Sequence, residues 1–60
     1  MTLLRAIEVY LWRTGISMTR FGREAIGDPK LIPMLRRGRQ LRPATMKRVL
    51  SYIAEGEAGR

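Results

Sequence analysis

Apolar residues recur at three- and four-residue intervals along most of the chain, and no stretch alternates strictly, so helices are predicted and strands are not. From Thr2 to about Thr14, Leu4, Ile7 and Leu11 share one side, flanked by Leu3 and Tyr10, while Arg5, Glu8 and Arg13 point elsewhere. Thr2 suits the start of this helix and Gly15 its stop. Val9 and Trp12 fall off the core stripe, and a tryptophan on the outer face of a first helix is a candidate dimer contact.

Ser17 is a natural N-cap for a second helix over Met18–Ala25, with Met18, Phe21 and Ala25 on one face. Ile26-Gly27 ends it, Gly27 being the residue expected at a left-handed exit. Asp28-Pro29 then signals a third helix reaching Arg37, with Asp28 a cap rather than a reader of bases. Its inner side is Leu31, Ile32 and Leu35, and Lys30, Pro33, Met34 and Arg37 share the opposite side. Pro33 leaves two registers open. Either the helix begins at Pro29 and loses one internal bond, at a cost of about 3 kcal/mol, or it starts near Ile32 and Pro29 belongs to the turn. Gly38 terminates it, Arg39–Arg42 is a loop, and Pro43 opens a fourth helix whose stripe is Met46, Val49, Leu50 and Ile53. The expectation is one all-α domain of four short helices over residues 1–55, followed by a frayed tail over 56–60 that contains two glycines.

Composition narrows the chemistry. The chain of 60 residues has no cysteine and no histidine, which removes disulfides, zinc fingers, thiol nucleophiles and imidazole bases. Its five acids are Glu8, Glu24, Asp28, Glu55 and Glu57, so no enzyme activity, metal or cofactor is expected. Folding a chain this short buries only about 60% of its surface, so a partner or a dimer would add stability. No window approaches the roughly 18 uninterrupted apolar residues of a membrane span, and no cleavage site follows the N-terminal segment. A soluble, cytoplasmic and nucleoid-associated protein is therefore expected.

Charge is the most informative feature. The net charge is +7, and all of the excess lies between Pro29 and Ala54, where seven cations stand without one acid. Ten of the twelve cations are arginine, the side chain suited to bidentate phosphate and guanine contacts. This placement points to a polyanion such as double-stranded DNA.

The second and third helices are separated by a turn of about three residues containing glycine, with Phe21 and Ala25 anchoring one helix, Ile32 and Leu35 the other, and Gly22 at the crossing. The segment from Ser17 to Arg39, notably Arg20-Phe21-Gly22, Gly27-Asp28-Pro29 and Leu35-Arg36, resembles the Cro/repressor-like helix-turn-helix family of phage and bacterial regulators. The resemblance implies that the third helix, about residues 28–38, is a recognition helix in the major groove while the second lies across the backbone. Carried over residue by residue, the implied base-reading positions are Pro29, Lys30, Pro33, Met34 and Arg37. The implied phosphate contacts are Ser17, Thr19, Arg20, Arg36, Arg39 and Arg42. Pro33, Met34 and Met18 depart from the usual polar residues, which leaves apolar contact with thymine methyl groups to the first two and hydrogen-bonded readout to Lys30 and the arginines.

One recognition helix reads few base pairs, so a homodimer on a palindromic operator is expected, with helix four and Tyr52 preferred as its contact. The alternative is a small basic adaptor that binds an acidic protein partner or RNA polymerase.

Overall fold

The computed structural model describes residues 2–58. Four helices follow in chain order: α1 over Leu3–Thr14, α2 over Met18–Ile26, α3 over Leu31–Arg36 and α4 over Pro43–Ala58. No strand is present among the described residues. They pack compactly, with a radius of gyration of 10.5 Å.

Local side-chain chemistry sets the first two helices. The Thr2 hydroxyl accepts from the Arg5 amide at 3.1 Å, and the Gly15 amide donates to the Leu11 carbonyl at 2.8 Å. Ser17 repeats the first bond, accepting from the Arg20 amide at 3.1 Å. α2 leaves through Gly27 at φ 71°, a left-handed conformation that an L side chain resists, and its amide reaches the Arg23 carbonyl at 2.9 Å.

α3 is shorter than expected, and its register resolves the proline question. Asp28–Leu31 is a turn in which the Leu31 amide donates to the Asp28 carbonyl at 3.1 Å. Pro29 supplies its first corner, and Lys30, at φ −97° and ψ 8°, its second. The helix therefore begins at Leu31, not at Pro29, and Pro33 is its third residue. The first amides of any helix lack an internal acceptor, so the proline ring removes no bond. At the other end the Arg37 and Gly38 amides reach the Met34 and Leu35 carbonyls at 3.1 and 3.0 Å, a tightened last turn.

The core joins α1 (Ile7, Tyr10), α2 (Phe21, Ala25), α3 (Leu31, Ile32) and α4 (Val49). At its centre Phe21 meets Tyr52 edge-on at 5.2 Å and Tyr10 at 5.7 Å. α2 and α3 cross at Gly22, where a Cβ would collide with the Asp28 carbonyl oxygen and lie 3.1 Å from the Leu31 Cβ. Glycine is there because backbone occupies the place of a side chain.

α4 corrects two expectations. Its inward stripe is Val49, Tyr52, Ile53 and Gly56, one step round from the expected one, so Met46 and Leu50 are exposed. The Tyr52 ring fills the space beside Phe21, and its hydroxyl donates to Glu24 at 2.6 Å, so a core position suits it better than a surface one. The tail expected over 56–60 is helical as far as Ala58, and Gly59 and Arg60 lie outside the described residues. Gly56 belongs to the packing: a Cβ there would collide with the Tyr10 hydroxyl. Leu41, read as loop, is half-buried against the core.

Candidate nucleic-acid interface

With Leu31 and Ile32 buried and Leu35 half-buried, the other side of α3 is left to solvent. Pro33 and Met34 are exposed there, and Arg37 follows at the helix end. Pro29 and Lys30, also exposed, occupy the turn that leads in. The five residues assigned to base reading thus lie within one helix and its flanking turns, and Lys30 and Arg37 have no carboxylate within salt-bridge distance among the described residues. This stripe carries two cations that no described carboxylate pairs with, separated by two apolar side chains. A helix with that face can approach a polyanion and press methyl-sized surface against it.

The six residues assigned to phosphate divide into two groups. Ser17 is engaged as the cap of α2, and Thr19 beside it is exposed. Arg42, in the connection between α3 and α4, is exposed and free of any acid partner among the described residues. The other three arginines each hold a carboxylate of the same chain. Arg20 Nε bonds Glu24 at 2.8 Å, Arg36 Nη2 meets Glu8 at 3.4 Å, and Arg39 Nη1 bonds Asp28 at 2.7 Å. All three pairs are solvent-accessible, so each is cheap to open when a phosphate competes.

These pairs act on the acids as well. Asp28 accepts from Arg39 through one oxygen and from the Lys30 amide, at 3.0 Å, through the other. Both bonds favour the ionised form, with Arg39 the larger influence, and the Asp28 carboxyl is held below its ordinary value. Glu24 is lowered by the Tyr52 hydroxyl first and by Arg20 second. In return Tyr52 is pushed up to about 12, chiefly by its burial and then by Glu24. Asp28 caps the turn before α3 instead of facing outward as a base reader would.

Five further exposed cations were given no contact role by the sequence: Arg5 and Arg13 on α1, Arg23 on α2, and Lys47 and Arg48 on α4. Lys47 and Arg48 line a groove of about 410 Å³ between α4 and α2, with Glu24 and Glu55 on the same rim. Exposed arginines and lysines look alike in sequence, and only the fold tells which ones an acid has already taken.

Among the described residues no helix is long and apolar enough to cross a membrane. Comparison with protein-family models, with curated proteins and with solved structures gives no match.

Proposed function

We propose that this chain is a sequence-specific double-stranded DNA-binding transcriptional regulator of the cytoplasm, in which α2 and α3 act as a helix-turn-helix. The observation that carries the reading is the outward side of α3. Lys30, Pro33, Met34 and Arg37 are exposed together, and the two cations among them have no acid partner among the described residues. The four-residue connection between α2 and α3 and their close crossing at Gly22 support it.

In this reading α3 enters the major groove. Lys30 donates to guanine O6 and N7, Pro33 and Met34 lie against thymine methyl groups, and Arg37 anchors the far end. Thr19, Arg42 and the first-turn amides of α2 hold phosphates, and Arg20, Arg36 and Arg39 join them by exchanging a surface carboxylate for a phosphate. Two copies on a palindrome double the number of base pairs read, and regulation follows from occupancy of the operator.

The test is selection of bound duplexes from a random pool, followed by affinity measured against salt. A recurring palindrome, with log affinity falling by about 0.9 per phosphate for each log unit of salt, is the expected result. Absence of binding to any duplex at low salt would overturn the reading in favour of an adaptor for an acidic protein.

A further inference from the structure

We propose that the outer face of α1, centred on Trp12, is the surface through which two copies of this chain associate. Trp12 is the only tryptophan in the sequence, and it is 85% exposed. It is not alone on its side of the helix. Arg5, Glu8, Val9 and Trp12 are spaced i, i+3, i+4 and i+7, and with Arg13 they line an open groove of about 570 Å³. The core stripe of the same helix, Ile7 and Tyr10, faces the other way. α1 is therefore amphipathic twice over, once toward its own core and once outward.

Charge identifies the occupant. Two chains of net charge +7 repel each other, so they meet most readily where acids and bases alternate. The α1 face has that character. Arg5 has no carboxylate partner among the described residues, and Glu8 is touched through only one oxygen, by Arg36 at 3.4 Å. Arg13 is already balanced by Glu57 at 3.5 Å. A two-fold axis between Glu8 and Val9 runs the two α1 helices antiparallel. It sets Arg5 over the indole of the partner's Trp12 and brings it within reach of the partner's Glu8, and symmetry makes each contact twice. Val9 closes the centre against the partner's Val9.

The competing surface on α4 lacks this complementarity. Met46 and Leu50 are 38% and 47% exposed, and the shallow groove they share with Thr2, Leu3 and Ala6 contains no ionisable side chain to set an orientation. Tyr52, the residue expected to make a dimer on α4, is committed to Phe21 and Glu24 inside the monomer.

This interface deepens the dimer part of the proposed function, but its test needs no DNA. Sedimentation equilibrium across a wide concentration range should give a monomer–dimer equilibrium, with the Trp12 emission moving to shorter wavelength in step with dimer. Trp12→Ala should weaken association at least about 30-fold, the loss that accompanies a truncated hot-spot residue. Its melting temperature as a monomer should stay unchanged, because the side chain is 85% exposed and stands outside the core cluster. Arg5→Glu should also weaken the dimer, and Glu8→Arg added to it should restore association. A chain that stays monomeric throughout, a dimer indifferent to Trp12→Ala, or a dimer lost instead on Leu50→Glu would overturn the proposal. A dimer that binds no duplex would leave this interface standing and remove the DNA reading, whereas a monomer that binds duplex would do the reverse.

Discussion

The carboxylate of Asp28 and the guanidinium of Arg39 meet at 2.7 Å, joining the turn before α3 to the loop after it. The other Asp28 oxygen accepts from the Lys30 amide, and the Arg39 amide donates to the Met34 carbonyl at 3.0 Å. A helix of six residues is too short to hold itself by propagation alone. Asp28 and Arg39 brace it from both ends, and in doing so they hold one arginine on a carboxylate that a phosphate must displace.

That brace has a measurable consequence. Asp28→Asn keeps an acceptor for the Lys30 amide and releases Arg39. Affinity for all duplexes should rise and sequence preference should fall, while the slope of log affinity against log salt stays the same, because Arg39 reaches a phosphate in both chains and only the cost of leaving Asp28 is removed. Titrations of specific and random duplexes at several salt concentrations check this. A slope steeper by about 0.9 would mean that Arg39 stays on Asp28 in the parent complex and contacts no phosphate there.

Lys30 and Arg42 separate reading from holding. Lys30→Ala should cost about 1–3 kcal/mol on the selected site and relax preference at one base pair. Arg42→Ala should weaken every duplex alike and lower the salt slope by about one. If the two variants behave identically in competition binding, Lys30 contacts phosphate and not a base.

Gly22→Ala should destabilise the fold by about 1–3 kcal/mol, since the new methyl group meets the Asp28 carbonyl oxygen and the Leu31 Cβ at once. Thermal unfolding followed by circular dichroism reads this directly. A melting temperature at or above that of the parent would mean that α2 and α3 do not cross where the structure has them.

Gly56→Ala distinguishes a packed α4 terminus from a frayed one by sign. In a solvated helix end, alanine would stabilise by up to about 1 kcal/mol. Against the Tyr10 ring, whose Cζ would lie 2.9 Å from the new Cβ, the same substitution should lower the melting temperature.

Tyr52 and Glu24 tie stability to pH on both sides. The Tyr52 phenol titrates higher in the folded chain, about 12, so its contribution is whole below pH 10, the ordinary tyrosine value, and disappears as pH climbs through 12. Glu24 titrates lower when folded, so its contribution is whole above the ordinary carboxylate range and disappears as pH falls through the folded value. Tyr52→Phe should lower the melting temperature at neutral pH and reduce its pH dependence at both extremes. A parallel shift of the whole profile would assign Tyr52 to packing alone.

Much of the architecture was legible from neighbours in the chain. Thr2, Ser17 and Gly27 act within a turn of their own positions, so short-range hydrogen bonding was enough to read the bounds of α1 and the start and exit of α2. Gly22 was legible for a related reason, because two helices joined by so short a turn must cross near the glycine. The exposed stripe of α3 followed from helical period once Leu31 and Ile32 were placed inside.

What tertiary structure decided was how those pieces face one another. Two overlapping stripes on α4 fit the same period, and the space beside Phe21 selected the one with Tyr52, leaving Met46 and Leu50 in solvent. Gly56 resembled a fraying signal until Tyr10 arrived from a distant part of the chain. Arg36 with Glu8 and Arg13 with Glu57 are 28 and 44 positions apart, and no local pattern announces either pair. Caps and periodicity are short-range and written in adjacent residues, whereas the choice of buried stripe and of neutralised cation depends on the angle and spacing at which helices pack.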